Sequence, residues 1–249
     1  MAISRAEPKY RRPLNQEQVD ILELIYKFRF VTIATVKDYF AETNPGMNVF
    51  KRLETLETQG FIAKRYFDNF RLLHKPVVYY LLPDGVRKLN EYRDEDDRAE
   101  LKGIYRDGVV SERFAMHCVA IFDLYNRLSG QYGDELEFLA KSDQTDFEDF
   151  PKQKPDAYLT LGVRHYFVDV LDDDAHLLID ASKKVKRYIE YRKSGDWAVV
   201  NAPFPQIILV CNTEDACNRV QKRSEYLLSK AWVTDIALKV ATSVDVTLS

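Results

Sequence analysis

Pro155-Asp156 and Asp169 are the residues whose type and spacing point most directly to chemistry in this chain. Two carboxylates on neighbouring strands supply the oxygen ligands a hard divalent cation takes, and such a cation polarises a scissile phosphate. Asp156 opens the alternating run 156–161 (DAYLTL) and Asp169 sits inside the apolar run 166–171 (YFVDVL), so both map to strands. The basic stretch 182–193 (SKKVKRYIEYRK) then offers Lys183, Lys184 and Lys186 as cations carried on a helix. Glu135 and Glu137 are further acids upstream, with nothing to select them. The plainer reading is a basic helix with a solvated face and strand carboxylates in no shared site. His74, His117, His165 and His176 have no metal-ligand spacing, and His117, within an apolar helix, reads as a hydrogen-bonded packing residue. The triple aspartate 172–174 reads as a turn. There is no glycine-rich phosphate loop and no nucleophile elbow.

The elements that must position these residues alternate strand and helix from Glu135 onward. Strands are expected at Leu136–Ala140, 156–161, 166–171, Gln206–Cys211 and 236–246, with helices at 182–193 and 215–230. That order predicts an α/β domain with a mixed sheet. Ahead of it, 111–129 (SERFAMHCVAIFDLYNRLS) is a helix apolar enough to pack on more than one side, and a candidate for homodimerisation.

The first 90 residues have a different grammar. Helical stripes at 16–29, 32–41 and 47–59 are followed by two strand-like stretches, 61–67 and 77–82, and the third stripe buries Val49, Phe50, Leu53 and Leu56. This pattern predicts a winged helix-turn-helix with helix 47–59 in a DNA major groove. Its outer face offers Asn48, Lys51, Arg52 and Thr55 to base edges and phosphates. Lys64, Arg65, Arg71 and Lys75 belong to the wing, and Arg11 and Arg12 to a basic tail that reaches phosphate or minor groove. Phe70, Leu72 and Leu73 make the wing tip apolar, which fits packing on the second domain or on a partner protomer.

Charge follows the same division. Residues 1–90 carry 15 Lys/Arg against 10 Asp/Glu, and the remainder 21 against 29, so a basic head precedes an acidic body. The three cysteines have no metal-type spacing and read as reduced thiols. No apolar run is long enough to span a membrane, and no signal peptide precedes the first helix, which places the chain in the cytoplasm.

The spacing of Asp156 and Asp169 is similar to that of the PD-(D/E)xK nuclease superfamily, whose usual lysine two residues after the second acid is replaced here by Leu171. Over most of 16–212 the chain resembles the replication-relaxation family of plasmid and mobile-element proteins. The likeness is carried by YYLLPDGVRKL, by HCVAIFDLYNRL, and by KPDAYLTL, YFVDVLDDD, KKVKRYIEYRKSG and PQIILVCNT in that order. The resemblance implies an α+β or α/β chain in which a winged helix-turn-helix precedes a restriction-endonuclease-like domain. Asp156, Asp169 and Lys184 match the family's Pro-Asp-Ala aspartate, acidic strand residue and helix lysine, as vestigial rather than confident catalytic candidates. The family's strand acid is commonly Glu followed by a polar turn, and Asp169-Val170-Leu171-Asp172 departs from that.

The domain expectation is a DNA-binding head over 1–95, a linker and bridging helix over 96–130, and a nuclease-like body without activity over 131–249. The partner expected is double-stranded DNA, with no cofactor. The alternatives are a Mg²⁺-dependent DNA nuclease and a protein-interaction module that binds no DNA.

Overall fold

The computed structural model describes residues 13–101, 103–145 and 147–248. It is a mixed α+β chain that divides into two compact units between Ser111 and Glu112.

In the first unit three helices precede a two-stranded sheet. Helix α1 (Gln16–Phe28) begins at a capping box, with Asn15 accepting from the Gln18 amide and Gln18 answering to the Asn15 amide. Thr32 and Thr35 repeat the device at α2 (Ile33–Tyr39). Helix α3 (Val49–Thr58) is capped by Asn48. Strands β1 (Ile62–Arg65) and β2 (Val78–Leu81) pair antiparallel, Ile62 opposite Leu81 and Arg65 opposite Val78, and α4 (Pro83–Leu89) follows. Leu22, Ile25, Phe30, Leu53, Leu56, Phe61, Ile62 and Val86 form the core between helices and sheet.

Phe50 is not in that core. It is 55% exposed, because the buried stripe of α3 is Val49, Leu53 and Leu56, and Phe50 lies a step around the helix from it. The segment that follows α4 is partly anchored. Asp107 is buried and paired with Arg29, and Arg65 donates to the Val110 carbonyl.

Gly85 in α4 has no room for a side chain: an added Cβ would stand 2.1 Å from the Phe61 carbonyl oxygen. Gly85→Ala is therefore expected to cost about 1–3 kcal/mol as α4 is pushed off β1. A denaturant midpoint equal to that of the parent would contradict this packing.

The second unit is built on a five-stranded sheet of order β3-β4-β5-β6-β7. Strands β3 (Leu136–Ala140), β4 (Ala157–Leu161) and β5 (Arg164–Val170) run antiparallel in sequence. Then β5, β6 (Gln206–Cys211) and β7 (Leu238–Thr242) are parallel, joined by α6 (Leu177–Ser194) and α7 (Glu214–Ala231). Phe167, Leu209, Tyr188, Val185 and Val220 belong to one core beneath these two helices, with Tyr188 stacked on Phe167 at 5.6 Å. Helix α5 (Glu112–Tyr132) meets β3 through Tyr125, edge-on to Phe138 at 5.0 Å. Helix α6 begins at Leu177, five residues before the basic stretch that announced it.

Candidate functional site

The antiparallel ladder between β4 and β5 ends at Ala157 opposite Val168. Beyond it the Asp156 side chain takes over as acceptor: Oδ2 receives the Val170 amide at 3.0 Å. This places Asp156 beside Asp169, which is fully buried on β5. From α6, Lys184, Arg187 and Tyr188 arrive at i, i+3 and i+4, the spacing that puts three side chains on one helical face.

Lys184 Nζ lies 2.8 Å from Asp156 Oδ2 and 2.7 Å from Asp169 Oδ1, so its ammonium bridges the two carboxylates. The other Asp169 oxygen accepts from Arg187 and, at 2.5 Å, from the Tyr188 hydroxyl. Asp156, Asp169 and Lys184, the three residues singled out in the sequence, thus meet in one place.

Helix α5 adds a second layer that the sequence did not reveal. His117 Nε2 is 3.3 Å from Asp156 Oδ2, and its Nδ1 is 3.5 Å from Asp172 Oδ1. Arg113, one turn earlier, pairs through Nε with Asp172 at 2.8 Å and Asp174 at 3.0 Å, and through Nη2 with Asp180 at 2.7 Å. Asp173 accepts from Thr213 Oγ1 at 2.8 Å. The triple aspartate is a turn, as expected, and its carboxylates hold α5 and the start of α7 to the end of β5. His117 is an ion-pair partner rather than a packing residue. The available signal was the i, i+4 pair Arg113 and His117 on the N-terminal half of α5.

The electrostatics follow from burial and pairing. Burial opposes the charge on Asp156, but Lys184 and His117 outweigh it and hold the carboxyl well below the usual range. Burial likewise opposes a charged Lys184, and Asp169 and Asp156 reverse the balance, so its pKa is raised. Burial together with the Asp169 charge pushes the Tyr188 phenol well up, which keeps it a neutral donor. For His117 burial favours the neutral ring, yet Asp156 and Asp172 overcome it and push the pKa up to about 9.

A histidine whose pKa rises on folding contributes stability that is complete below its unfolded value near 6.5 and is lost as pH climbs through the folded one. Stability is therefore expected to fall between about pH 6.5 and 9, by on the order of 3 kcal/mol. His117→Gln is expected to flatten that slope in urea titrations. An unchanged slope in the variant would remove His117 from the network.

A divalent cation does not fit this arrangement. The carboxylate oxygens that would ligate it are taken by Lys184, Arg187, Tyr188, His117 and the Val170 amide. Among the described residues no group of three or more His, Cys, Asp or Glu side chains is arranged to hold a metal ion. Glu135 lies in a 3₁₀ turn and Glu137 on β3, and neither is among the partners found for the cluster.

The expected DNA-contacting residues of the first unit are positioned as follows. Asn48 caps α3 by accepting the Lys51 amide at 3.0 Å, and Thr55 Oγ1 donates to the Lys51 carbonyl at 2.8 Å. Arg52 pairs with Glu17 of α1, and Lys64 pairs with Glu57 at 2.9 Å. Arg65 is held by the Val110 carbonyl, while Arg71, stacked over Phe70 at 5.6 Å, and Lys75 lie between β1 and β2. Lys51 and Phe50 are exposed side by side on α3. Leu72 and Leu73 are exposed at the tip of this segment. Arg11 and Arg12 lie outside the described residues.

Residues 22–207 match the model of the replication-relaxation family. The chain belongs to the replication-relaxation family. That match spans both units, from α1 to the start of β6, and takes in Asp156, Asp169 and Lys184. Membership associates the chain with the replication of plasmids or mobile elements. No curated protein and no solved structure gives a significant match. Among the described residues, no helix of this family member is long and apolar enough to cross a membrane.

Proposed function

We propose that this replication-relaxation protein is a sequence-specific DNA-binding regulator of a plasmid, phage or integrative element, acting on replication or transcription. In this reading the first unit is a winged helix-turn-helix. Its element order, three helices and then a two-stranded antiparallel sheet, is that of the motif. The observation that carries the reading is the outward face of α3. Phe50, Lys51 and Glu54 are exposed there, on a helix fixed to α1 by the Arg52–Glu17 pair. A lysine suits phosphate or guanine, an apolar ring suits the thymine methyl, and a carboxylate suits the cytosine amine. Arg52, Lys64 and Arg65, being paired within the unit, position the helix and wing. Lys51 and Arg71 are phosphate contacts, and Lys75 adds its charge to the same wing.

The second unit is a nuclease-like body without nuclease activity, because Lys184 occupies the position between Asp156 and Asp169 that a catalytic Mg²⁺ would need. The convergence of these same three residues favours a second reading, metal-dependent DNA cleavage. It requires the cation to displace Lys184, and cleavage would then disappear in Asp156→Ala and Asp169→Ala. The protein acts in the cytoplasm, and a two-fold dimer would match a palindromic site.

Selection from a randomised duplex library with the full chain tests the proposal. Enrichment of a defined site is the expected result. Retention of no duplex at low salt would overturn it and leave docking on a protein partner as the alternative.

A further inference from the structure

The second unit is acidic overall, with seventeen Lys/Arg against twenty-two Asp/Glu over 112–249. Its cations are unevenly placed: ten of the seventeen lie on α6 and α7, alongside only five acids. Where these helices pack together they leave an open cleft of about 440 Å³, lined by Leu178, Ile179, Ser182, Lys183, Lys186 and Arg223.

The cleft uses cations that the buried network leaves aside. Lys184 and Arg187 turn to Asp169, whereas Lys183 and Lys186, on another face of α6, turn to the cleft. The Lys183 contact with Asp180, 3.3 Å long, involves a side chain that is 70% exposed, so it restrains the ammonium little. On the facing wall Arg223 is fixed in place. Its Nε donates to Ser182 Oγ at 2.8 Å, Ser182 in turn donates to the Leu178 carbonyl, and the guanidinium lies 5.5 Å over the Tyr226 ring. That bond leaves the Nη donors as a planar fork of the kind suited to phosphate oxygens. Among the described residues no carboxylate lines the cleft, and Ile179 offers it an exposed apolar surface.

We propose that this cleft grips the sugar–phosphate backbone of duplex DNA, as a second contact separate from α3. Two ammonium groups on one wall and a guanidinium on the other meet phosphate oxygens, and the apolar edge meets deoxyribose. Such contacts fix the position of the protein on DNA and carry no sequence information. The inference rests on the reading of the protein as a DNA-binding regulator. Arg219 and Lys222, exposed further along α7, extend the same charge and favour a long polyanion over a short acidic peptide.

The test is binding of the full chain to a labelled duplex across a salt series, comparing the parent, Lys183→Ala/Lys186→Ala, the same pair with Arg223→Ala, and Lys51→Ala. The cleft variants are expected to lower the salt dependence of log Kobs by about 0.9 for each phosphate contact removed, with about tenfold weaker binding or more. They are expected to keep the parent's preference among DNA sequences. The double lysine variant changes only exposed side chains, so a melting curve like the parent's accompanies its effect. Parent-like affinity and slope in the cleft variants, beside a defective Lys51→Ala, would overturn the cleft and spare the α3 reading. A parent that binds no duplex would overturn both. Binding of polyglutamate that the cleft variants lose, with DNA binding intact, would assign the cleft to an acidic protein segment and overturn the proposal.

Discussion

Asp169→Ala is expected to destabilise the protein by about 3–5 kcal/mol, the usual cost of removing one partner of a buried ion pair. The size follows from what is left behind. Asp169 is fully buried and takes Lys184 Nζ, Arg187 and the Tyr188 hydroxyl, all brought by α6. Without it, two buried cations face a single remaining carboxylate, Asp156, and the Tyr188 hydroxyl loses its acceptor. Lys183→Ala, one residue from Lys184 but mostly exposed, is expected to change stability by less than about 1 kcal/mol. Urea unfolding of the two variants separates a buried network from ordinary surface charge. Equal, small effects would mean that Asp169 is not the electrostatic centre of the second unit.

Lys51→Ala is expected to weaken duplex binding about tenfold and to reduce the salt slope by about 0.9, the signature of one phosphate contact. Lys51 is exposed on α3 and lies outside the ion pairs that hold the unit together, so its melting curve should match the parent's. Arg52→Ala is expected to behave differently. It releases α3 from Glu17 on α1, so it lowers stability modestly and binding only through misplacement of the helix. If Arg52→Ala abolished binding while Lys51→Ala left it unchanged, the Lys51 face of α3 would not be the DNA-facing surface.

These two variants also mark where the sequence was legible. Strands β3 and β6 were bounded correctly: β6, buried on both faces, leaves a continuous hydrophobic run, while β3, an edge strand with Glu137 exposed, is marked by Leu136, Phe138 and Leu139. The meeting of Asp156, Asp169 and Lys184 could be anticipated from spacing and resemblance. Phe50 was misplaced because a short helix allows more than one apolar stripe, and only packing chose Val49, Leu53 and Leu56. The Arg52–Glu17 pair joins residues 35 apart in the chain, and His117 reaches Asp156 across 39. Such long-range pairs have no local periodicity to reveal them. The resemblance named Lys184, but not that its ammonium would bridge the two carboxylates. A lysine on a basic amphipathic helix reads as solvated until the sheet beneath it is in place.

The protein is expected to bind DNA and to leave it intact. The most direct measurement is binding of the purified chain to its selected duplex across a salt series, first with Mg²⁺ and then with EDTA, while strand integrity is followed. The expected result is binding that weakens steeply with salt, is indifferent to EDTA, and leaves every strand uncut. Mg²⁺-dependent cleavage that Asp156→Ala or Asp169→Ala abolishes would contradict it, and would make Asp156, Asp169 and Lys184 an active site.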